Sequence, residues 1–261
     1  MAVVETIEVN RSGGVVTITL NRPEKKNAMN RSMWAELRAT FTEITESDDD
    51  RCVVITGAEG AFCSGADLSG SGDGSPQRHQ LHNMRWIGEA TLALHRLPQP
   101  TIAKVNGVAA GAGCSLALGC DLIVASDEAR FSMIFARRGL SLDWGASWLL
   151  PRLVGLHKAK ELAFFADILS AKEAQDLGLV NRVVPADALD AFVDDWALKL
   201  AAGPPIALWQ TKLLLNNGAM TTMAQALDDE GCAQTVNFGT EDTPEAIRAF
   251  VEKREARFQG R

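Results

Sequence analysis

Gly107-Val108-Ala109-Ala110-Gly111-Ala112-Gly113 directly follows the apolar run Thr101 to Val105, and reads as a strand feeding a glycine-rich turn. A second stretch of the same kind, Ser64-Gly65-Ala66-Asp67-Leu68, comes after the apolar strand pattern of Cys52 to Thr56. Small residues permit close backbone approach, so both turns can aim bare N–H groups at one carbonyl oxygen. Two amide donors fixed in advance and directed at an oxygen that gains negative charge form one of the larger catalytic terms. Either stretch alone would also read as a tight strand-to-helix turn; the pair predicts an oxyanion hole, and hence an enzyme.

Outward from these turns the chain alternates strands and helices. Val3 to Val9 and Val15 to Leu20, joined by Arg11-Ser12-Gly13-Gly14, predict a β-hairpin. Trp34, Leu37, Phe41 and Ile44 recur at helical spacing behind Asn30 and Ser32, either of which can cap. A helix from about His79 to Leu97 stops at Pro98 and Pro100. Leu122 to Ala125 reads as an inner strand, Ala171 to Leu177 as a short helix, and Leu179 to Val184 as an exit strand. Beyond them helix dominates: one opened by Pro204-Pro205 and closed by Asn216-Asn217-Gly218, one striped by Met220, Met223 and Leu227, and one started by Asp242-Thr243-Pro244-Glu245. The expectation is an α/β core over residues 1–200 with a helical region over residues 201–261. Ser69 to Pro76, rich in glycine and serine, reads either as a lid or as an ordinary surface loop.

Composition narrows the function class. A net charge of −7 opposes non-specific nucleic-acid binding and favours a small ligand. No apolar run approaches the roughly 20 residues of a membrane span. The segment from Met1 to Asn10 lacks a basic start and an apolar stretch, so a cytoplasmic protein is expected. Cys52, Cys63, Cys114, Cys120 and Cys232 lack paired spacing or adjacent histidines, which predicts free thiols and no metal.

Asn21 to Ala28, Ala61 to Leu68, Asn106 to Gly113 and Ala249 to Arg254 together resemble the crotonase superfamily of enoyl-CoA hydratases and isomerases. The resemblance runs from about Glu5 to Phe258. It implies a spiral of ββα units with a C-terminal helical trimerisation region, a homotrimer or dimer of trimers, and an acyl-CoA thioester as substrate, coenzyme A being its carrier and no other cofactor taking part. It further implies that the amides of Ala66 and Ala112 hold the thioester oxygen, aided by the helix start near Gly113. Lys25, Lys26, Ala28, Ala66, Asp67, Leu68, Phe250 and Lys253 fall in its CoA-binding segments, with Lys253 often supplied by a neighbouring subunit. Asp67 there also organises its loop, and Asp121 is expected to fix a turn.

The resemblance also separates reaction types. Hydratases of the superfamily use two glutamates, and Ser115 and Phe135 stand in those positions, so activation of water by two carboxylates is missing. Asp143, in Gly139 to Gly145, falls where double-bond isomerases carry their acid. Phe135, Leu142, Trp144 and Trp148 around it are apolar, and desolvation raises a carboxyl pKa toward the working pH. The alternative role for Asp143 is helix capping ahead of Trp144 to Leu149. Dehalogenase chemistry is disfavoured because Gly88 replaces the histidine those relatives use. The expectation is isomerisation of a 3-enoyl-CoA, with Asp143 as proton shuttle and Ser115, Phe135 and Trp144 lining the pocket. Hydration managed by Ser115 and Asp143 is the alternative, and a non-catalytic acyl-CoA-binding subunit is the alternative of another class.

Overall fold

A computed structural model describes residues 5–69 and 79–261. Strands β1 (Ile7–Ser12) and β2 (Val15–Leu20) form the expected hairpin, with Ile7 opposite Leu20 and Ser12 opposite Val15. Strand β1 runs to Ser12 instead of stopping at Val9, because Gly13 and Gly14, at φ 59° and 79°, make the whole turn between them. A two-residue hairpin turn of this kind needs positive φ at both positions.

Helix α1 (Arg31–Thr45) is capped by Asn30, whose side chain accepts from the Met33 amide at 2.9 Å. Its buried face carries Met33, Trp34, Leu37, Phe41 and Ile44, as the spacing requires. Strand β3 (Cys52–Gly57) is buried along its length. Helix α2 (Gln80–His95), β4 (Thr101–Val105), β5 (Val108–Ala110), α3 (Ala112–Leu118), β6 (Leu122–Ser126) and β7 (Arg130–Ser132) follow. Then come α4 (Ala146–Val154), α5 (Leu156–Phe165), β8 (Leu169–Ser170), α6 (Ala171–Asp176), β9 (Arg182–Val184) and α7 (Leu189–Ala201).

The main sheet has the order β1-β2-β3-β4-β6-β9 and is parallel from β2 onward; β5, β7 and β8 form a second, smaller sheet. Side chains of a strand alternate between faces. Val53 and Ile55 accordingly enter the large core shared with α1, α2 and α3, while Cys52 and Val54 enter a separate cluster under α7 with Leu189, Val193 and Ala197. Burial on both faces is why these parallel strands read as continuous apolar runs. The exit strand is shorter than its apolar pattern: the Leu179 amide donates to Ala174 at the end of α6, so pairing with β6 begins only at Arg182.

Three helices complete the chain: α8 (Pro205–Gly218), α9 (Met223–Phe238) and α10 (Asp242–Glu252). They carry exposed apolar side chains, among them Leu215, Met223, Phe238, Phe250 and Val251. Asp242 opens α10 without capping it: its buried carboxylate accepts from the amides of Gln259 and Gly260, tying down the last turn of the chain. Among the described residues no helix is long and apolar enough to cross a membrane.

Candidate active site

The two glycine-rich turns lie against each other through bare backbone. The Ala110 amide donates to Cys63 O and the Cys63 amide to Val108 O, both at 2.9 Å. A Cβ on Gly65 would stand 3.0 Å from Ala110 O and 3.7 Å from Ala112 N, and one on Gly113 would stand 2.3 Å from Cys63 O. The glycines are what let the turns meet.

Each turn leaves one amide pointing outward from a pinned peptide plane. Gly65 O accepts from the Met29 amide at 2.8 Å, and the Ala66 N–H of the same trans peptide faces the other way. Gly111 O accepts from the Ser115 amide at 3.0 Å, which likewise orients the Ala112 N–H at the start of α3. Neither the Ala66 nor the Ala112 amide donates to an acceptor among the described residues. Gly111 adopts φ 53°, ψ −126°, a region open to glycine, whereas Ala112 is not at positive φ, so its methyl group does not disturb the donor.

A loop from Arg22 to Ala28 braces the first turn. Arg22 donates to Ala28 O at 2.5 Å and to Asp67 Oδ2 at 2.8 Å. Asn27, fully buried, donates to Ala58 O and Ala61 O and accepts from the Arg22 amide. The Ser64 amide and hydroxyl bond to the carbonyls of Lys26 and Lys25, both at 3.0 Å, which sets the two exposed lysines beside the Ala66 turn. Asp67 also accepts from the Ser69 amide and hydroxyl; these bonds first, with the Arg22 guanidinium, hold its carboxyl down to about 2. Asp67 therefore ties the loop together. Sequence alone assigns no role to Arg22 and Asn27 in the Asn21 to Ala28 motif; the signal that identifies them is an arginine and an asparagine bracketing a 3-10 turn whose lysine carbonyls must be met from outside.

Asp143 lies between β7 and α4, half-buried, with Oδ1 enclosed and unpartnered among the described residues. Burial pushes its carboxyl up to about 6. It does not cap α4: Gly145 is the N-cap, without a side-chain hydrogen bond, and accepts from the Trp148 and Leu149 amides through its own carbonyl. Trp144 and Phe135 belong to the same buried cluster as Ala112, and the Phe135 ring comes within 3.9 Å of where a Gly111 Cβ would be.

The sequence matches the enoyl-CoA hydratase/isomerase family over residues 10–261. The chain belongs to that family. It is 37% identical to the 1,2-epoxyphenylacetyl-CoA isomerase of Escherichia coli (strain K12), covering 95% of this chain and 96% of that protein. It is 35% identical to the short-chain-enoyl-CoA hydratase of Clostridium acetobutylicum, covering 94% of each. The structure superimposes on the enoyl-CoA hydratase from Bacillus anthracis with a TM-score of 0.93 at 34% identity, covering 98% of this chain and 100% of that one. This is the crotonase fold of an enzyme family that acts on acyl-CoA thioesters.

Within this family member, Ser115 is fully buried and its hydroxyl donates to Gly111 O at 3.2 Å, so its proton is engaged inside α3. Leu68 is exposed beside the turn. Phe250 and Lys253 stand at the end of α10: Phe250 is 85% exposed, and Lys253, at φ 55°, is the left-handed residue that ends the helix. Among the described residues no hydrogen bond or ion pair joins them to the Lys25 loop. Asp121 holds a turn, accepting from the Thr101 amide at 2.8 Å and pairing with Lys212. The stretch from Ser69 to Pro76, read as a lid or an ordinary surface loop, falls almost wholly outside the described residues.

Proposed function

We propose that this enzyme shifts a double bond in an acyl-CoA thioester, converting a 3-enoyl-CoA to its 2-enoyl isomer through an enolate. The observation that carries the reading is the Asp143 carboxylate: half-buried, held near pH 6 by desolvation, unused in capping, and accompanied by Ser115 and Phe135 where two carboxylates would serve a hydratase. Asp143 takes the α proton, and the electron pair of that C–H bond delocalises onto the thioester oxygen. The amides of Ala66 and Ala112 stabilise the negative oxygen. Asp143 then returns the proton at the γ carbon, and the double bond ends in conjugation with the carbonyl. No proton is gained or lost overall, and no cofactor beyond the coenzyme A carrier is called for.

Lys25, Lys26, Ala28 and Leu68 hold the CoA portion in this reading, with Phe250 and Lys253 contributed by a neighbouring copy. Exposed apolar residues on α8, α9 and α10 support self-association, which the family resemblance makes a homotrimer or dimer of trimers. A spectrophotometric assay on 3-hexenoyl-CoA, comparing wild type with Asp143→Asn, tests the chemistry: a loss of at least a hundredfold is expected, and equal rates remove Asp143 from the mechanism. Hydratase-named relatives such as the Clostridium enzyme favour hydration as the second reading. Rapid loss of crotonyl-CoA absorbance would select it over isomerisation.

A further inference from the structure

Asp143 Oδ1, Trp144 Nε1 and Thr91 Oγ1 are among the polar side-chain atoms buried without a hydrogen-bond partner among the described residues. The proton shuttle accounts for the first and leaves the other two unexplained. Trp144 is 4% exposed, its backbone sits at φ 54°, and its ring lies 5.2 Å from that of Trp34. The left-handed region is an outlier for a bulky aromatic residue and persists only where the surroundings fix it. Thr91 reaches the same place from α2: its methyl carbon is 3.2 Å from where a Cβ on Gly145 would stand, next to Trp144 in the chain. Thr91 of α2 thus packs on the segment that carries Asp143 and Trp144.

An indole N–H can only donate, and a threonine hydroxyl donates once and accepts. A hydrocarbon chain offers neither group a partner, and leaving buried donors unpaired is costly. We propose that Trp144 Nε1 and Thr91 Oγ1 form a polar contact for the acyl group, and that the preferred acyl chain carries an oxygen acceptor, a hydroxyl or a ketone, beyond the thioester carbonyl. The proposal rests on the reading that places the acyl chain beside Asp143. A site built to hydrogen-bond a substrate oxygen rejects the analogue that lacks it far more strongly than an apolar pocket rejects a missing methylene. Trp144 and Thr91 are then specificity-determining residues, distinct from the donors that hold the thioester.

The test is calorimetric binding of hexanoyl-CoA, 4-oxohexanoyl-CoA and 5-oxohexanoyl-CoA to the wild-type enzyme and to the variants Trp144→Phe and Thr91→Val. At least one oxo thioester is expected to bind wild type about tenfold more tightly than hexanoyl-CoA, by analogy with a satisfied buried donor. Each substitution should shrink that ratio at least threefold, and a ratio between two ligands on one protein is insensitive to general loss of fold. If Trp144→Phe does not fold, Thr91→Val carries the same comparison. Equal binding of all three thioesters to wild type, or a preference that survives both substitutions, overturns the proposal. Failure of every thioester to bind overturns the acyl-CoA reading itself, a different result from equal binding.

Discussion

The hydroxyl of Ser115 donates to the carbonyl oxygen of Gly111 at 3.2 Å, and the peptide so bonded is the one whose N–H belongs to Ala112. A hydrogen bond to a peptide carbonyl polarises the N–H across the same plane, so Ser115 both steers and strengthens a candidate oxyanion donor. Ser115→Ala is expected to lower kcat about fivefold, the equivalent of about 1 kcal/mol for one hydrogen bond, with KM within twofold. Steady-state kinetics and the infrared carbonyl stretch of a bound enoyl thioester check this. A smaller red shift in the variant marks a positioning role, and an unmoved carbonyl with reduced thermal stability marks a structural one.

Gly113 and Ala112 are neighbours with opposite tolerance. A Cβ on Gly113 would meet Cys63 O at 2.3 Å and Cys63 Cβ at 2.7 Å, and neither can retreat without moving the Ala66 turn. Gly113→Ala should destabilise the fold by about 3 kcal/mol through overpacking and abolish measurable turnover. Ala112→Gly keeps the donor and costs about 1 kcal/mol of helix propensity, with activity within a few-fold of wild type. Thermal unfolding and turnover of the two variants give the comparison.

What could be read from the sequence follows from which forces are local. The α1 stripe behind Asn30 and strands β2 and β3 are written in neighbouring residues and form where expected, whereas the hairpin turn narrows to Gly13 and Gly14 and the exit strand begins only at Arg182. The donor turns were legible because glycine marks close backbone approach, as Gly65 and Gly113 bear out. Strands β7 and β8 were not legible: they are three and two residues long and exist only because β7 pairs with the distant β5. The brace from Arg22 to Asp67 spans 45 positions, and no local pattern announces such a pair. Asp143 is a candidate through the family resemblance; that it does not cap α4 depends on the left-handed turn at Trp144 and Gly145, which apolar periodicity does not encode.

The Arg22–Asp67 brace should show itself in acid. The Asp67 carboxyl is held below its ordinary value of 3.8, at about 2, chiefly by Ser69 and then by Arg22. A depressed folded-state pKa adds stability that is present above pH 3.8 and lost as pH falls through about 2. Asp67→Asn is expected to cost about 1 kcal/mol at pH 7, a figure reduced by solvent at the loop surface, and to cost progressively less below pH 4. Arg22→Ala also abandons Ala28 O and should cost about 2 kcal/mol. Denaturant unfolding across this pH range measures both.

Asp143 has the opposite sign. Burial raises its carboxyl from 3.8 to about 6, so the folded protein prefers the protonated form and stability is lost as pH rises through that window. Asp143→Asn removes a charge that is disfavoured above pH 6, and the variant should be more stable than wild type by about 1 to 2 kcal/mol at pH 8, after allowance for partial exposure. At pH 3.5, where the wild-type carboxyl is itself neutral, the difference should vanish. Activity runs the other way: the base must be ionised, so kcat/KM on 3-hexenoyl-CoA should rise with pH to a plateau above an apparent pKa near 6. Gain of stability together with loss of turnover in one variant is the signature of a carboxylate kept in an apolar place for its chemistry. A destabilised Asp143→Asn at pH 8 would instead mean that the charge is paired in solution, and the proton-shuttle assignment would fall with it.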